Sequence, residues 1–299
     1  MTNIILLLVC LLIGLLLGRV KGLPKDAHIA LNTVILYVPL PAIALLTIPL
    51  LEWNLSLVSL VLVPWIIFGV SFLFFPFIGS KLGWSKAVIG CLILTAGLGN
   101  TAFVGFPVIE ALFGKEALKY AVFLDQPGTF LIVSSFGIWV AALYSTGKLP
   151  KRELLKRVLL FPPFIAFVLA LLLGGMSWKA DGELKVILEK LAAILTPMAL
   201  ISVGLQLKWN EIRSDVNYLI AGLGYKLFLS PALIYGLYWL VGIPYEMFRI
   251  AVMEAAMAPM ITASILAASH NLHPRLAGMM VGVGVPLSFL TLGIWYYLL

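Results

Sequence analysis

Four ionisable side chains lie inside long apolar stretches of the sequence: Glu110, Asp125, Lys226 and Glu254. A charge in an apolar environment is costly, so such residues usually pair with one another, face water or take part in function. Three carboxylates and one ammonium could carry a proton, hold a small cation or form an internal ion pair. Each of the four is therefore a candidate functional residue.

Glu254 is the strongest of these candidates, because it lies five residues before Pro259 in the run MEAAMAP. A carboxylate beside a helix break can take up a proton, bind a sodium ion or pair with Lys226. We therefore expect Glu254 to bind a proton or a small cation, and we take Asp125 and its neighbour Gln126 as the second choice for this role.

Structural interpretations remain open for the other charged residues. Glu110 lies near the end of its apolar stretch and could reach the membrane interface. Lys226 could extend to the interface along its methylene chain, or it could be a structural charge paired with Glu254 or Asp125. Asp125 itself could mark the polar end of a helix.

Helix-breaking residues are concentrated in one apolar stretch. Gly97, Gly99, Asn100, Gly105 and Pro107 fall within eleven residues. Glycine allows non-helical dihedral angles, and proline removes a backbone donor and clashes with the preceding turn. The combination predicts an interrupted helix, and an interruption at membrane depth is tolerated only where protein or a water-filled cavity surrounds it.

A second interruption is predicted at Pro259, in a later apolar stretch. Interrupted helices in matching positions of two halves indicate the binding site of a carrier. Ordinary proline kinks are the alternative, since proline is frequent in membrane helices. A half-helix that starts at a break carries a partial positive charge and unpaired N–H groups, so two of them favour a small carboxylate. The predicted substrate-binding residues are Asn100, Thr101, Pro107, Pro259 and Thr262.

The composition is that of a membrane protein. Hydrophobic residues make up 62% of the 299 positions, charged residues 11%, and the mean hydropathy is +1.10. A soluble domain carries about 25% charged residues. The net charge of +7 comes from basic residues in short loops, which membrane topology explains better than nucleic-acid binding. Cys10 and Cys91 lie in apolar stretches, and no HExxH or GxSxG motif is present, so we expect neither an enzyme nor a metal site or other cofactor beyond a coupling ion.

Ten apolar stretches are long enough for transmembrane helices, which need about 20 residues each. They predict an all-α polytopic membrane protein with short loops. The predicted helices cover residues 3–18, 29–50, 56–80, 87–113, 118–145, 157–176, 188–207, 215–241, 247–269 and 274–298.

The basic residues predict the orientation of the chain. With the N-terminus outside, thirteen of them fall on the cytoplasmic side and six on the outer side, which fits the positive-inside rule. No basic residue precedes the first apolar stretch, so we expect a retained helix rather than a signal peptide. The predicted location is the inner (plasma) membrane, with several spans and both termini outside.

Three landmarks recur at an offset of about half the chain. The pairs are Pro39 and Pro197, 158 residues apart, Pro107 and Pro259, 152 apart, and Trp139 and Trp295, 156 apart. They predict two repeats of five helices, and an odd number of spans inverts the second repeat, as in many carriers. The predicted domains are the first repeat at 1–146, a basic cytoplasmic linker at 147–156 and the inverted repeat at 157–299.

The runs LGNTAFVGFPVIEALFG and EAAMAP, together with this five-plus-five layout, resemble the auxin efflux carrier family. The resemblance implies a scaffold domain and a transport domain with broken, crossing helices 4 and 9, in a fold similar to that of the sodium–bile acid symporters. In those symporters polar groups of the crossover and a glutamate of helix 9 bind sodium. Glu254 and Met257 match that glutamate-containing run, whereas Ala258 and Pro259 replace its amide side chains.

These observations together predict a secondary active transporter of a small organic anion. Alternating access, of an elevator type, would move the anion bound at the crossover, and a proton or a sodium ion would couple through Glu254. An anion channel and a carrier-like sensor are the alternatives. The sequence leaves open whether the protein is a monomer or a homodimer, and we expect the bilayer and the organic anion, but no nucleic acid, as partners.

Overall fold

The computed structural model describes residues 2–20, 22–24, 26–52, 54–145, 160–206 and 215–299. Within these ranges the protein is helical and has no strand, which confirms the predicted all-α class. The predicted linker at 147–156 lies outside the described residues.

Sixteen α-helices form the described part of the chain. They are α1 (Thr2–Leu17), α2 (Ala27–Tyr37), α3 (Pro39–Thr47), α4 (Leu57–Lys81), α5 (Lys86–Gly97), α6 (Phe106–Phe113), α7 (Leu118–Leu124), α8 (Ile138–Tyr144), α9 (Pro162–Gly175), α10 (Gly182–Ala193), α11 (Leu195–Gln206), α12 (Val216–Gly224), α13 (Ser230–Val241), α14 (Tyr245–Ala255), α15 (Ile261–Ser269) and α16 (Pro274–Leu298). Short 3-10 turns lie at Ile48–Leu50 and Lys115–Ala117, and π-helices at Thr101–Gly105, Asp125–Phe130, Val133–Gly137 and Tyr225–Leu229.

Six helical stretches in the described part of the chain are long and apolar enough to cross a membrane. They are Ala27–Leu50, Leu57–Lys81, Lys115–Tyr144, Gly182–Gln206, Val216–Val241 and Pro274–Leu298. Shorter apolar helices lie at Ile5–Leu17, Lys86–Gly97, Thr101–Phe113 and Pro162–Gly175. These findings establish several membrane spans, and the count of ten stays a prediction.

The seventh predicted helix, at 188–207, starts earlier than expected. The structure begins it at Gly182 and interrupts it at Ile194, between α10 and α11. Its first turns carry Glu183 and Lys185. Because charged residues interrupt the apolar pattern, the pattern alone places the start of such a helix too late in the sequence.

The chain forms two compact units. The first unit contains residues 1–54, 102–126 and 159–207, and the second contains 55–101, 127–158 and 208–299. Each unit therefore combines segments from both predicted repeats. The division into repeats stays a prediction, but it is not the division of the chain into compact units.

Within the first unit, α1 packs closely on α11 through two glycines. A Cβ atom on Gly14 would lie 2.3 Å from Ile201 O, and one on Gly204 would lie 2.5 Å from Leu11 O. Small residues allow such close helix contact in membranes. A buried hydroxyl also links helices of this unit, since Ser202 Oγ donates to Asn32 Oδ1.

Within the second unit, a proline explains the π-helix at Tyr225–Leu229. In a regular α-helix Leu227 O would accept from residue 231, but Pro231 has no N–H. Trp295 Nε1 donates to Leu227 O instead, at 2.9 Å. The neighbouring Tyr225 donates from its hydroxyl to Ile67 O at 2.6 Å, so both bonds tie this irregular segment to other helices of the unit.

Candidate functional site

Both predicted helix interruptions are present, and both lie in the second unit. The first separates α5, which ends at Gly97, from the π-helix that begins at Thr101. Leu98, the first residue after α5, is extended, with φ −119° and ψ 129°. Glycine on either side of Leu98 lowers the cost of leaving the helix here.

The second interruption separates α14, which ends at Ala255, from α15, which begins at Ile261. Met260 is extended, with φ −71° and ψ 125°. Pro259 precedes it, and proline biases the residue before it away from the helical region, which accounts for the loss of helix at Ala258.

The two interruptions pair with each other. Gly99 and Pro259 form an isolated antiparallel bridge. Asn100 N donates to Ala258 O at 2.8 Å, and Met260 N donates to Leu98 O at 3.0 Å. Ala258 and Met260, on either side of Pro259, make these two bonds. The N–H that proline lacks is therefore not needed for the pairing. Backbone groups released by one break are thus satisfied by the other, as burial in a membrane requires.

Two glycines make room for this pairing. A Cβ atom on Gly284 of α16 would lie 2.7 Å from Pro259 Cδ. A Cβ atom on Gly99 would lie 2.9 Å from Lys226 Nζ and 3.5 Å from Glu254 O. The paired segments are therefore packed on both sides, and any side chain at these positions would force its neighbours to move.

Lys226 lies at this pairing rather than at the membrane interface. Its side chain is 1% exposed, and Nζ donates to Ala255 O at 3.0 Å, on the last residue of α14. Glu254, also 1% exposed, is near enough for its carboxylate to interact electrostatically with the ammonium. A side chain buried to this degree and bonded to Ala255 O favours the structural-charge interpretation of Lys226 over the one in which it extends to the interface.

The predicted substrate-binding residues differ in their surroundings. Asn100 and Thr101 are buried beside the first break, and Pro259 is buried in the second. Thr262 is exposed on the first turn of α15. Pro107 lies in the first unit, inside α6 and seven residues after Asn100, so the partner of Pro259 in the paired breaks is Gly99 and not Pro107.

Asp125 and Gln126 form a second buried polar pair, which belongs to the first unit. Each side chain is 3% exposed, and Gln126 Nε2 donates to Asp125 Oδ2 at 2.8 Å. The amide oxygen of Gln126 is buried and accepts no hydrogen bond from the described residues. This pair could bind a donor or a cation, as the sequence predicts for it.

Glu110 has a structural partner. Its Oε2 accepts from Thr196 Oγ1 at 3.0 Å, within the first unit. It also lines a cavity of about 160 Å³ in this unit, together with charged side chains such as Lys119 and Glu189. The half-buried carboxylate is therefore hydrogen-bonded within this unit, and its position at a membrane interface stays a prediction.

The π-helices are features that the sequence analysis missed. Thr101, Asp125, Gln126 and Lys226 all lie in such segments. Wide turns of this kind are frequent at functional sites, because they release backbone groups and shift side chains. A usable signal was present for two of them, in the proline that follows Gln126 and in Pro231.

Comparisons with known proteins identify the class of this chain. Residues 1–296 match the family described as membrane transport protein. An uncharacterized transporter of Methanocaldococcus jannaschii is 26% identical over 308 residues, covering 100% of this chain and 98% of the relative. Another, from Methanothermobacter thermautotrophicus, is 29% identical over 303 residues, covering 98% and 96%. Auxin efflux carrier component 8 of Arabidopsis thaliana is 24% identical over 277 residues, covering 74% and 72%.

These matches confirm the resemblance to auxin efflux carriers, and the relatives are named as transporters rather than enzymes. The apolar helices agree with a multi-pass protein of the lipid bilayer. The chain belongs to the membrane transport protein family.

Proposed function

We propose that this protein is a secondary active transporter that carries a small organic anion by alternating access. The observation that supports the proposal best is the hydrogen-bonded pair of helix breaks at Gly99 and Pro259. Broken helices that meet inside a membrane protein provide polar backbone groups where no charged side chain is needed to bind a substrate. Asn100 and Thr101 add buried polar side chains at the same place.

The direction of the half-helices favours an anion. α15 begins at Ile261, directly after the second break, and its first N–H groups have no partners within the helix. The helix dipole adds a partial positive charge at that end. A carboxylate that accepts hydrogen bonds there would lie close to Pro259 and Thr262, and across the paired breaks from Asn100 and Thr101.

Ten spans in two inverted repeats remain our proposal for the architecture. The second and seventh predicted helices are both interrupted just before a matched proline, at Val38 before Pro39 and at Ile194 before Pro197. The two interruptions are 156 residues apart, close to the offset of the other landmarks, and so support a duplication. With the basic loops in the cytoplasm, both termini would lie outside the inner membrane.

Coupling through Glu254 is the next part of the proposal. A buried carboxylate one residue from the end of α14 is neutralised by taking up a proton, or has its charge compensated by a bound sodium ion, and either change would alter the stability of the paired breaks. Asp125 and Gln126 are the second choice, because they form a buried polar pair of their own.

Uptake into reconstituted vesicles tests the proposal. The purified protein should accumulate a radiolabelled mono- or dicarboxylate with saturation, and unlabelled substrate inside the vesicles should accelerate entry. Asn100→Ala should abolish uptake while the protein still folds, because the side chain lies beside the backbone that pairs with Ala258. Asn217→Ala is the matched control, since Asn217 is exposed in the same unit.

The alternatives predict different results in the same experiment. A channel would conduct the anion without saturation or countertransport. A sensor would bind a carboxylate, visible as a rise in Tm by mass action, without any flux. Wild-type uptake by Asn100→Ala would show that the paired breaks are not the substrate site.

A further inference from the structure

The two helix ends that lead into the paired breaks carry negative charge from three sources. α5 ends at Gly97 and α14 ends at Ala255, so two helix C-termini point to the same buried place. Each C-terminus leaves carbonyl groups without intrahelical partners and carries roughly half a negative charge. Glu254, buried in the last turn of α14, adds a carboxylate. A buried region of this kind requires a cation or a proton to be stable.

The side chain of Lys226 supplies that charge. Its ammonium donates to Ala255 O at 3.0 Å and therefore caps the C-terminus of α14 directly. It also lies against the residues that follow α5, because a Cβ atom on Gly99 would be only 2.9 Å from Nζ. At 1% exposure it is shielded from water, so its ammonium depends on the carbonyl oxygen of Ala255 and on the nearby Glu254 carboxylate for stabilisation.

We propose that Lys226 is a resident cation of the paired breaks, whose ammonium occupies the place where a coupling sodium ion would otherwise bind. The inference rests on the proposed function, in that it concerns the coupling of the same site. The proposed function leaves two coupling ions open, a proton and a sodium ion. If Lys226 takes the place of sodium, the proton that binds to Glu254 is the coupling ion.

Physical chemistry supports the exclusion of sodium. An ammonium and a sodium ion seek the same ligands, namely carbonyl and carboxylate oxygens, and two unit charges a few ångströms apart in a buried place repel strongly. Lys226 Nζ has three donors and uses one on Ala255 O. Its close approach to Gly99 leaves no space for a second cation on that side.

The test measures thermal unfolding of the purified full-length protein in detergent, with sodium, potassium or choline chloride at constant ionic strength. Wild type should have the same Tm in all three salts. Lys226→Met should have a lower Tm in choline, and sodium or methylammonium should raise it in a saturable manner, because the vacated place then binds a small cation. Lys226→Arg should stay indifferent to the salt. Lys81→Met is the matched control, since Lys81 is exposed at the end of α4, and it should match wild type.

Two results would overturn the inference. One is a saturable rise in the Tm of wild type with sodium but not with potassium or choline. The other is a Lys226→Met protein that is as stable as wild type and indifferent to every cation. If Lys226→Met does not fold, a double variant that also carries Glu254→Gln removes both charges together. This variant should fold and its Tm should not respond to sodium. A sodium response, or a failure to fold, would count against the pairing of Lys226 with Glu254.

The readout separates this inference from the proposed function. Stability in different salts does not depend on knowing the substrate, so a protein without measurable uptake could still confirm the resident cation. Conversely, sodium-stabilised wild type that carries an organic anion would contradict only the role of Lys226.

Discussion

Gly99→Ala is the substitution for which the structure gives the most definite expectation. The added methyl group would lie 2.9 Å from Lys226 Nζ, whereas ordinary contact begins at 3.4 Å, so the ammonium must withdraw by 3.4 − 2.9 = 0.5 Å. Nζ donates to Ala255 O at 3.0 Å, so a displaced ammonium no longer keeps the geometry of this bond. The change therefore weakens the cap on α14.

The magnitude follows from two opposing effects. A hydrogen bond from a charged donor contributes about 1.5–3 kcal/mol. The lysine end is flexible and recovers part of this, and alanine reduces the freedom of the unfolded chain by about 0.4–1 kcal/mol in favour of the fold. We expect a net loss of about 1 kcal/mol in the free energy of unfolding, and a fall in Tm of about 2–4 °C.

Thermal unfolding of the purified protein measures the effect, and Gly236→Ala is the control. Gly236 lies inside α13, and a Cβ atom there would meet nothing within 4 Å. Alanine should stabilise that position by about 0.5–1 kcal/mol, so the two substitutions should change Tm in opposite directions. The double variant of Gly99→Ala with Lys226→Met should lose less unfolding free energy than the two single variants together, because the added methyl group no longer meets an ammonium. A Gly99→Ala protein as stable as wild type would refute the contact between Gly99 and the ammonium.

Three further predictions concern coupling, packing and topology. Glu254→Gln should still exchange substrate across vesicle membranes but lose pH-driven accumulation, since an amide cannot take up the proton; full accumulation by this variant would transfer the coupling role elsewhere. Gly204→Val should lower Tm strongly, because a Cβ atom there would meet backbone atoms and overpacking costs about 1–3 kcal/mol. Gly175→Val is the control: a Cβ atom at this position, at the end of α9, would meet nothing within 4 Å, so Tm should change little. A single cysteine at Lys151 in a cysteine-free background should react only with membrane-permeant reagents, and labelling from outside would reverse the proposed orientation.

Local composition was sufficient for several conclusions. Apolar stretches interrupted only by short basic loops cannot form a soluble domain, so the membrane class follows from the residues themselves. Glycine and proline determine where a helix cannot continue, and for that reason the breaks near Gly99 and at Pro259 were predictable. The burial of Glu254 was also predictable, because it lies between the apolar residues Met253 and Ala255.

Only the tertiary structure decided which of these features meet. Gly99 and Pro259 are 160 residues apart, and no local pattern specifies that their backbones exchange hydrogen bonds. Lys226 had several possible partners in the sequence, and only the fold brings its Nζ to Ala255 O. The packing of distant segments also decided that Pro107 belongs to α6, and that the two compact units combine parts of both predicted repeats. Residue type sets what a segment can tolerate locally, whereas pairing between distant segments depends on how complete helices pack, and that is settled only when the whole chain folds.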